Sequence, residues 1–452
     1  MSWTFFLCTF GCKVNQYESQ SLRESWTRLG GRECDTPEQA DWIVLNTCAV
    51  TAGAVSEVRQ TARRMHRLAP EARLVITGCS ATAAGEELAA LPGVLAVLPQ
   101  TEKERLLKGP AALAPEEAAS TDPERFPGFA ITSFARARPV IKIQDGCTHK
   151  CAYCIVPLMR GPSRSRATRD IVAEMRRLLT AGYREIMLSG INLRQYAMPD
   201  KQDGVDGDFW TLLRVLETEF SSEWAGTARL RLSSLDPAQL HERALETLAA
   251  SRLVCPHMHL SLQSGSPDVL QAMGRGHYSP EAIAAFVGSL SSIWPVFGLG
   301  ADILMGFPME TDAQAEETLA FLRSLPLSYA HVFPFSPRPG TRAASLKDLP
   351  GPLKQERALA ARNIIKEKQT HFLDRLMRMD RLHVALDVSR QDEVQADEDT
   401  TVDLVRMKGV CEYYTVCMLP ERTLPRAGSG HDLIPVSPAG ISGSRLDVSL
   451  VV

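Results

Sequence analysis

The sequence lacks the features that would place it in a membrane or outside the cell. Its longest apolar runs have the length of a strand and fall well short of the roughly 18 residues that cross a bilayer. The first ten residues contain neither the basic segment nor the cleavage site of a signal peptide. We therefore expect a cytoplasmic protein without a membrane anchor.

The chain also lacks an excess of charge of either sign. Fifty Lys and Arg stand against 53 Asp and Glu, a formal net charge of −3, so a nucleic-acid partner would need a local basic patch. The hydrophobic share of 44% and the charged share of 23% are ordinary for globular proteins, which excludes a disordered, collagenous or coiled-coil chain. For 452 residues we expect about three domains.

Eleven cysteines, an odd number in a large chain without an evident signal peptide, favour metal binding or catalysis over disulfides.

Three of these cysteines belong to a repeated pattern in the first hundred residues. Cys12, Cys48 and Cys79 each follow an apolar strand, predicted at residues 3–10, 42–46 and 74–77. The intervals of 36 (48 − 12) and 31 (79 − 48) residues fit strand-helix-strand units, whose successive strands are parallel. Because parallel strands end at one edge of a sheet, the three cysteines should converge there. We predict an amino-terminal, doubly wound α/β domain over residues 1–105.

A second alternation of strands and helices begins near residue 140, after a linker with a short helix expected over 106–138. It predicts six parallel strands, at residues 140–144, 185–189, 230–233, 257–262, 300–304 and 329–333. They suggest a barrel or partial barrel over 139–381, with the active site at the carboxyl ends of the strands. Residues 354–381 predict a long helix or a pair of helices. After this segment, apolar and polar residues alternate at 382–388, 401–407, 413–419 and 445–451. This alternation predicts strands and therefore a small all-β domain over 382–452.

The sharpest chemical signal is a group of three cysteines directly after the first barrel strand: Cys147, Cys151 and Cys154. Three thiolates on one loop can hold three corners of an iron–sulfur cluster or of a tetrahedral metal. No fourth ligand follows locally, which favours a cluster with one iron open to a small molecule. A zinc site completed by His149 is the alternative.

This C-x-x-x-C-x-x-C pattern, with an aromatic residue before its last cysteine, resembles that of the radical S-adenosylmethionine (SAM) enzymes. Further segments resemble the methylthiotransferases of that superfamily: residues 11–19, 46–51, 161–166, 260–266, 306–311 and 335–341. The resemblance implies a partial (βα)6 radical SAM barrel between an amino-terminal cluster domain and a carboxy-terminal β-barrel called TRAM. It also implies two 4Fe-4S clusters, held by the following cysteines: Cys147, Cys151 and Cys154 for the catalytic one, and Cys12, Cys48 and Cys79 for the other.

In the family, SAM binds the open iron of the barrel cluster, and one electron from a flavodoxin-like or ferredoxin-like donor yields a 5′-deoxyadenosyl radical. The amino-terminal cluster holds a sulfur that a first SAM methylates, and the radical from a second SAM removes hydrogen from the carbon to be thiolated. Position at strand ends and the resemblance together suggest these SAM contacts: Tyr153, Ser189, Gly190, Asn192, Ser234, Asp236, Gln263 and Gly306. Each is equally explained as a turn residue that satisfies local backbone groups.

The segment GCKVNQYES, residues 11–19, resembles the branch that acts on N(6)-threonylcarbamoyladenosine beside the tRNA anticodon. We therefore expect a tRNA methylthiotransferase that modifies carbon 2 of this nucleoside. The alternatives are the branches that act on isopentenyladenosine or on a ribosomal protein, a different radical SAM enzyme, and a zinc-stabilised RNA-binding module without activity.

Two basic segments are predicted to contact tRNA phosphates. The candidate residues are Arg63 and Arg64 in a helix, and Arg164 and Arg166 after the cysteine loop. Two departures from the family pattern stand out. Residues 382–452 hold six basic and eleven acidic residues, an unfavourable balance for an RNA-binding barrel, and Met309 stands where the family usually has glycine.

Overall fold

The computed structural model describes residues 3–49, 53–113, 125–200, 207–387, 406–420 and 431–451. Along the chain it contains a parallel sheet, a six-stranded partial barrel and a closed five-stranded β-barrel, which confirms the predicted fold class. None of the helices described is both long and apolar enough to cross a bilayer.

The amino-terminal region is a parallel sheet with the strand order β2-β1-β3-β4-β5. Its elements are β1 (Trp3–Thr9), α1 (Lys13–Arg28), β2 (Gly31–Glu33), β3 (Trp42–Thr47), α2 (Ala54–Leu68), β4 (Arg73–Gly78), α3 (Cys79–Ala83), α4 (Gly85–Ala89) and β5 (Val94–Pro99). Val44 of β3 shares a core with Tyr17 of α1, whereas Ile43 and Leu45 share another with Val58 of α2. Helices thus cover both faces, and the strand order reverses between β1 and β3, where doubly wound folds bind ligands.

The segment after this sheet, predicted as a linker, is partly structured and contributes to the core. It forms 3-10 helices at Gln100–Lys108 and Pro110–Leu113. Further on, Phe129 and Ile131 are buried in the core shared by sheet and barrel. The Tyr17 hydroxyl donates to the Phe129 carbonyl oxygen at 2.8 Å. The second half of the predicted linker therefore fastens the sheet to the barrel.

The central region has six parallel strands in two sheets, β6-β9-β10 and β11-β12-β13, close to the predicted positions. Parallel bridges from Leu230 to Val254 and from Leu235 to Leu260 connect the two sheets. The six strands are β6 (Val140–Lys142), β9 (Glu185–Ser189), β10 (Arg229–Leu232), β11 (His257–Gln263), β12 (Gly298–Met305) and β13 (Tyr329–Pro334). Two short strands, β7 (Gln144–Asp145) and β8 (Arg164–Ser165), form a separate antiparallel pair. The helices are α5 (Val156–Arg160), α6 (Thr168–Thr180), α7 (Phe209–Trp224), α8 (Glu242–Ala250), α9 (Pro267–Ala272), α10 (Pro280–Ile293), α11 (Asp312–Ser324) and α12 (Gly351–Leu376).

The terminal barrel closes in the order β14-β15-β16-β18-β17. Its strands are β14 (Leu382–Leu386), β15 (Arg406–Cys411), β16 (Val416–Pro420), β17 (Leu433–Ser442) and β18 (Arg445–Leu450); residues 388 and 401–405 of the predicted strands lie outside the described chain. Buried Glu185 pairs with Arg229 and Arg231, each at 2.6 Å. These arginines also donate to the carbonyl oxygens of His383, at 2.8 Å, and Cys411, at 2.9 Å. A buried ion pair thus docks the terminal barrel at the amino ends of β9 and β10.

Candidate active site between two cysteine trios

The first group of cysteines, Cys12, Cys48 and Cys79, lies at the carboxyl ends of β1, β3 and β4. A Cβ at Gly11 would stand 2.7 Å from the Cys48 Sγ, so the chain passes this close only because Gly11 has no side chain. The Ser80 hydroxyl donates to the Cys48 carbonyl oxygen at 2.6 Å. The structure therefore brings the three loops together at the switch point of the sheet, and we call these cysteines the amino-terminal trio.

The second group, the barrel trio of Cys147, Cys151 and Cys154, lies on the loop between β7 and α5. Gly146 opens this loop with φ +71°, and a Cβ there would stand 1.9 Å from the Pro162 carbonyl oxygen. Only glycine permits this turn. Burial raises the pKa of Cys154 to about 12 and raises the pKa of Cys151 as well. Cysteine binds metal as the thiolate, so binding of a metal here would displace protons from these thiols.

A small apolar cluster connects the two trios. Its members are Ala49 and Cys79, on the loops of the amino-terminal trio, and Ile155 and Met159, which follow the barrel trio. Helix α3, which begins at Cys79, packs against α5. The two trios are therefore neighbours, although 68 residues (147 − 79) separate them in sequence.

A buried ion network lies beside the two trios and joins their regions. Lys142 Nζ is 2.6 Å from both Glu18 Oε1 and Asp145 Oδ2. Arg160 lies 2.9 Å from Asp145 Oδ1 and 3.2 Å from Glu18 Oε1, and Lys103 lies 2.6 Å from Glu18 Oε2. Burial alone would raise the pKa of Asp145, but Lys142 and Arg160 outweigh burial and hold this pKa at about 2. With Arg164, which lies 3.7 Å from Asp145 Oδ2, four cations thus face two carboxylates.

Three of the predicted SAM contacts lie at the end of β9 and in the loop after it: Ser189, Gly190 and Asn192. Gln144, which the sequence did not single out, organises this loop, because its Oε1 accepts from the N–H groups of Ile191 and Asn192 at 2.9 and 2.8 Å. The Asn192 amide lies 3.7 Å from the Cys147 Sγ. The structure therefore places this loop directly beside the barrel trio.

The remaining predicted SAM contacts surround the same end of the barrel: Tyr153, Ser234, Asp236, Gln263 and Gly306. Asp236 is buried and accepts a hydrogen bond from Arg275 at 3.1 Å, while another nitrogen of Arg275 lies 3.8 Å from the Cys151 Sγ. The Gly306 N–H donates to Glu310 at 3.0 Å. Sequence reasoning missed Arg275, although its position between Gly274 and Gly276, shortly after α9, was a detectable signal.

The zinc alternative does not fit this arrangement. The ring of His149 lies with Asp236 and His277, and the ligand atoms of these three residues are within 4.8 Å of one another. Among the described residues, no group of three ligand atoms this close includes a cysteine sulfur. A zinc ion with bonds of about 2.3 Å would require such closeness.

The basic residues predicted to contact tRNA fall into two classes. Arg63 and Arg64 are exposed on α2, and in the described part of the chain no carboxylate oxygen lies within 4.0 Å of either guanidinium. The Arg164 side chain is only 11% exposed and lies 3.7 Å from Asp145. Arg166 is buried, forms an ion pair with Glu174 and donates to the Tyr17 hydroxyl. The structure corrects the prediction for Arg166, whose guanidinium is already paired and cannot reach a phosphate.

Comparisons with known proteins agree with this arrangement. Residues 4–98 match the uncharacterized protein family UPF0004, and residues 141–322 match the Radical SAM superfamily. The threonylcarbamoyladenosine tRNA methylthiotransferase MtaB of Chlamydia pneumoniae is 37% identical over 75% of this chain and 76% of its own length; that of Aquifex aeolicus is 33% identical over 81% and 89%. A solved structure of the radical SAM methyltransferase TsrM from Kitasatospora setae has a similar fold, with a TM-score of 0.54 and 16% identity over 76% of this chain and 77% of its own. The extent of the MtaB matches shows that this chain belongs to the MtaB-like family of radical SAM methylthiotransferases.

Proposed function

We propose that this enzyme replaces the hydrogen on carbon 2 of N(6)-threonylcarbamoyladenosine, beside the tRNA anticodon, with a methylthio group. The relatives named for this substrate support the proposal. The observation that carries it is the adjacency of the two cysteine trios, because a sulfur held at one trio must reach a carbon activated at the other. The apolar cluster around Met159 keeps the two trios together.

Each trio would hold one 4Fe-4S cluster and leave one iron without a protein ligand. Cys147, Cys151 and Cys154 would hold the cluster that, with SAM and an electron from a flavodoxin-like or ferredoxin-like donor, would supply the radical chemistry. Two SAM molecules serve each turnover, one as the methyl donor and one as the radical source. The contribution of the protein is positional: Asn192 and Arg275 flank the barrel trio, and the ion network around Glu18 holds the two regions in register.

Mass spectrometry of tRNA nucleosides from cells that lack this protein tests the proposal. We expect the methylthio derivative of threonylcarbamoyladenosine to disappear and the parent nucleoside to accumulate. Wild type and Cys34→Ala should restore the derivative, because Cys34 is a buried cysteine of the same sheet outside both trios. Cys79→Ala and Cys151→Ala should not. Loss of methylthio-isopentenyladenosine instead, or unchanged tRNA, would contradict the proposal.

A further inference from the structure

A polar cavity of about 100 Å³ lies inside the barrel, and all three regions contribute to it. Lys13 enters from α1, Tyr414 from the terminal barrel, and Ser234, His257, Asp302 and His331 from the barrel itself. The volume is several times the roughly 10–15 Å³ that one water molecule needs, so the cavity can take a small polar substituent. Ser234 is also one of the predicted SAM contacts, which places the cavity next to the expected position of SAM.

Lys13 supplies a cation that has no acidic partner in the part of the chain that the structure describes. Its Nζ lies 5.5 Å from the centre of the Tyr414 ring, and within the described ranges no carboxylate oxygen comes within 4.0 Å of it. Asp302, the acid that lines the cavity, pairs with His259 at 3.1 Å instead. A partly buried ammonium gains from an anionic partner because burial removes some of its hydration.

Two buried side-chain atoms of the cavity also lack hydrogen-bond partners among the described residues. His257 is 2% exposed; its Nε2 contacts the Tyr329 hydroxyl at 2.9 Å, but its Nδ1 has no hydrogen-bond partner in the described protein. Ser233 is 7% exposed, and its hydroxyl has none either. Buried polar groups are nearly always hydrogen-bonded, so these atoms indicate a polar ligand. Burial lowers the pKa of His257 and of His331, which disfavours a positive charge on either ring.

We propose that this cavity binds the threonyl part of the substrate and that Lys13 pairs with its carboxylate. The inference rests on the proposed function, because threonylcarbamoyladenosine carries a threonine joined through its amino group, which leaves a carboxylate and a hydroxyl free. The unpartnered groups of Ser233 and His257 provide hydrogen bonds for the hydroxyl and the urea. An isopentenyl group has no polar atom, so it would leave these groups buried and unpaired, and the cavity selects against it.

The test compares two anticodon stem-loop RNAs, one with threonylcarbamoyladenosine and one with its neutral methyl ester. Methylthio product formed by the anaerobically reconstituted enzyme is measured by mass spectrometry to give kcat/KM for each RNA. We expect wild type to prefer the acid roughly tenfold or more, the size of a charge-assisted hydrogen bond. Lys13→Met should bring the ratio close to one, and Lys13→Arg should keep a preference for the acid. Lys366→Met, an exposed lysine of α12, is the matched control and should behave as wild type.

The outcomes separate this inference from the proposed function. If wild type modifies neither RNA, the proposed function is wrong. If wild type is active without preferring the acid, or Lys13→Met keeps the wild-type ratio with full iron content, only the assignment of Lys13 is wrong. Lys13 follows Cys12, so iron content and the absorption spectrum are measured for each variant. If Lys13→Met loses iron, a second variant, Ser233→Val, tests the inference instead. This substitution fills part of the cavity at a distance from the cysteines. An unchanged kcat/KM for the RNA with the acid would overturn the inference.

Discussion

Arg160 donates a hydrogen bond of 2.8 Å to the Asn15 Oδ1. Asn15 lies in the first turn of α1, three residues after Cys12, and Arg160 ends α5, six residues after Cys154. This buried contact thus joins α1, which follows Cys12 of the amino-terminal trio, to α5, which follows the barrel trio. The relative position of the two trios is therefore fixed by polar contacts as well as by the apolar cluster between them.

We expect Arg160→Met to destabilise the protein by about 3 kcal/mol or more, because removing one member of a buried ion network leaves its partners uncompensated. Glu18 and Asp145 would lose a cation that is 2% exposed. Chemical denaturation measures the loss. The matched control is Arg169→Met, whose side chain is 82% exposed beside Asp170 and which should change stability by no more than about 0.5 kcal/mol. Equal stabilities for the two variants would show that the network contributes little.

The two trios should each bind about four irons, since a cubane cluster has four. Anaerobically reconstituted wild type should therefore approach about eight irons per chain, and Cys48→Ala and Cys147→Ala should each retain about half. Cys255→Ala is the control, because Cys255 is a buried cysteine outside both trios. Iron analysis and visible absorption give the result. Full iron content in Cys48→Ala would rule out a cluster on the amino-terminal trio.

The sequence predicted the strands that carry the amino-terminal trio because each is a mostly apolar run followed by a small residue and a cysteine. It missed β2, which has only three residues, two of them charged and exposed. It also missed β17, because Pro435 and Pro438 are unfavourable in a strand; the structure accommodates them with an irregular register near Pro438. Local propensity could not reveal this accommodation.

Some of the site residues could be predicted from the sequence and others could not. Local spacing marked the barrel trio, and the parallel-sheet argument predicted the convergence of the amino-terminal trio. The contacts of Arg166 with Tyr17 and of Arg160 with Asn15 could not be predicted, because these partners lie 149 and 145 residues away in sequence. Glu174, which forms the ion pair with Arg166, is only eight residues away, but nothing local in the sequence shows that both side chains are buried. The sequence of an arginine-rich segment does not show whether an arginine side chain faces solvent or pairs with a buried carboxylate. The error for Arg166 follows from this ambiguity.

Docking of the terminal barrel should depend on pH through Glu185. Burial by itself would raise the pKa of Glu185, but Arg231 and Arg229 outweigh burial and hold this pKa well below its usual range. A carboxylate with a lowered folded pKa stabilises the protein fully above the unfolded value of about 4.3, and the contribution is lost as pH falls below that value. We expect Glu185→Gln to be less stable than wild type by about 3 kcal/mol at pH 7, the cost of breaking a buried ion pair.

The stability difference between wild type and Glu185→Gln should stay constant from pH 7 to pH 5 and shrink below about pH 4.3. Thermal unfolding of both proteins without iron measures it, because metal release is itself pH-dependent. Glu219→Gln is the control, since its ion pair with Arg176 is about half exposed and should contribute little. A difference that grows on acidification would contradict the assignment of Glu185 as a buried anion.

Met309 should be a site of backbone strain. Its φ is +67°, in the left-handed region, and its side chain is 68% exposed, so little packing compensates the strain. A residue with a Cβ costs about 1–2 kcal/mol in this conformation. We expect Met309→Gly to raise the free energy of unfolding by up to about 1 kcal/mol, because the greater flexibility of glycine in the unfolded chain offsets part of the gain. Met309→Ala keeps the strain and should leave the stability unchanged; equal effects of the two substitutions would exclude strain as the cause.

The exposed arginines of α2 should contribute to the attraction of tRNA. Arg63 and Arg64 have no described acidic partner, whereas the terminal region holds eleven acids against six bases and adds no net attraction. Each phosphate contact adds about one unit to the slope of log affinity against log salt concentration. We expect the double variant Arg63→Ala, Arg64→Ala to bind tRNA more weakly and to lower this slope by about two units.

Binding at several salt concentrations separates phosphate contacts from general damage to the fold. Cleavage of SAM without tRNA should be unaffected, because both side chains point to solvent and neither belongs to a trio. The control pair Arg214→Ala, Arg252→Ala removes two exposed arginines from the barrel region and should leave the slope as in wild type. If both pairs lower the slope equally, tRNA responds to total charge and α2 is not a docking face. If neither does, the attraction must come from other residues, and the two arginines of α2 are only solvated surface.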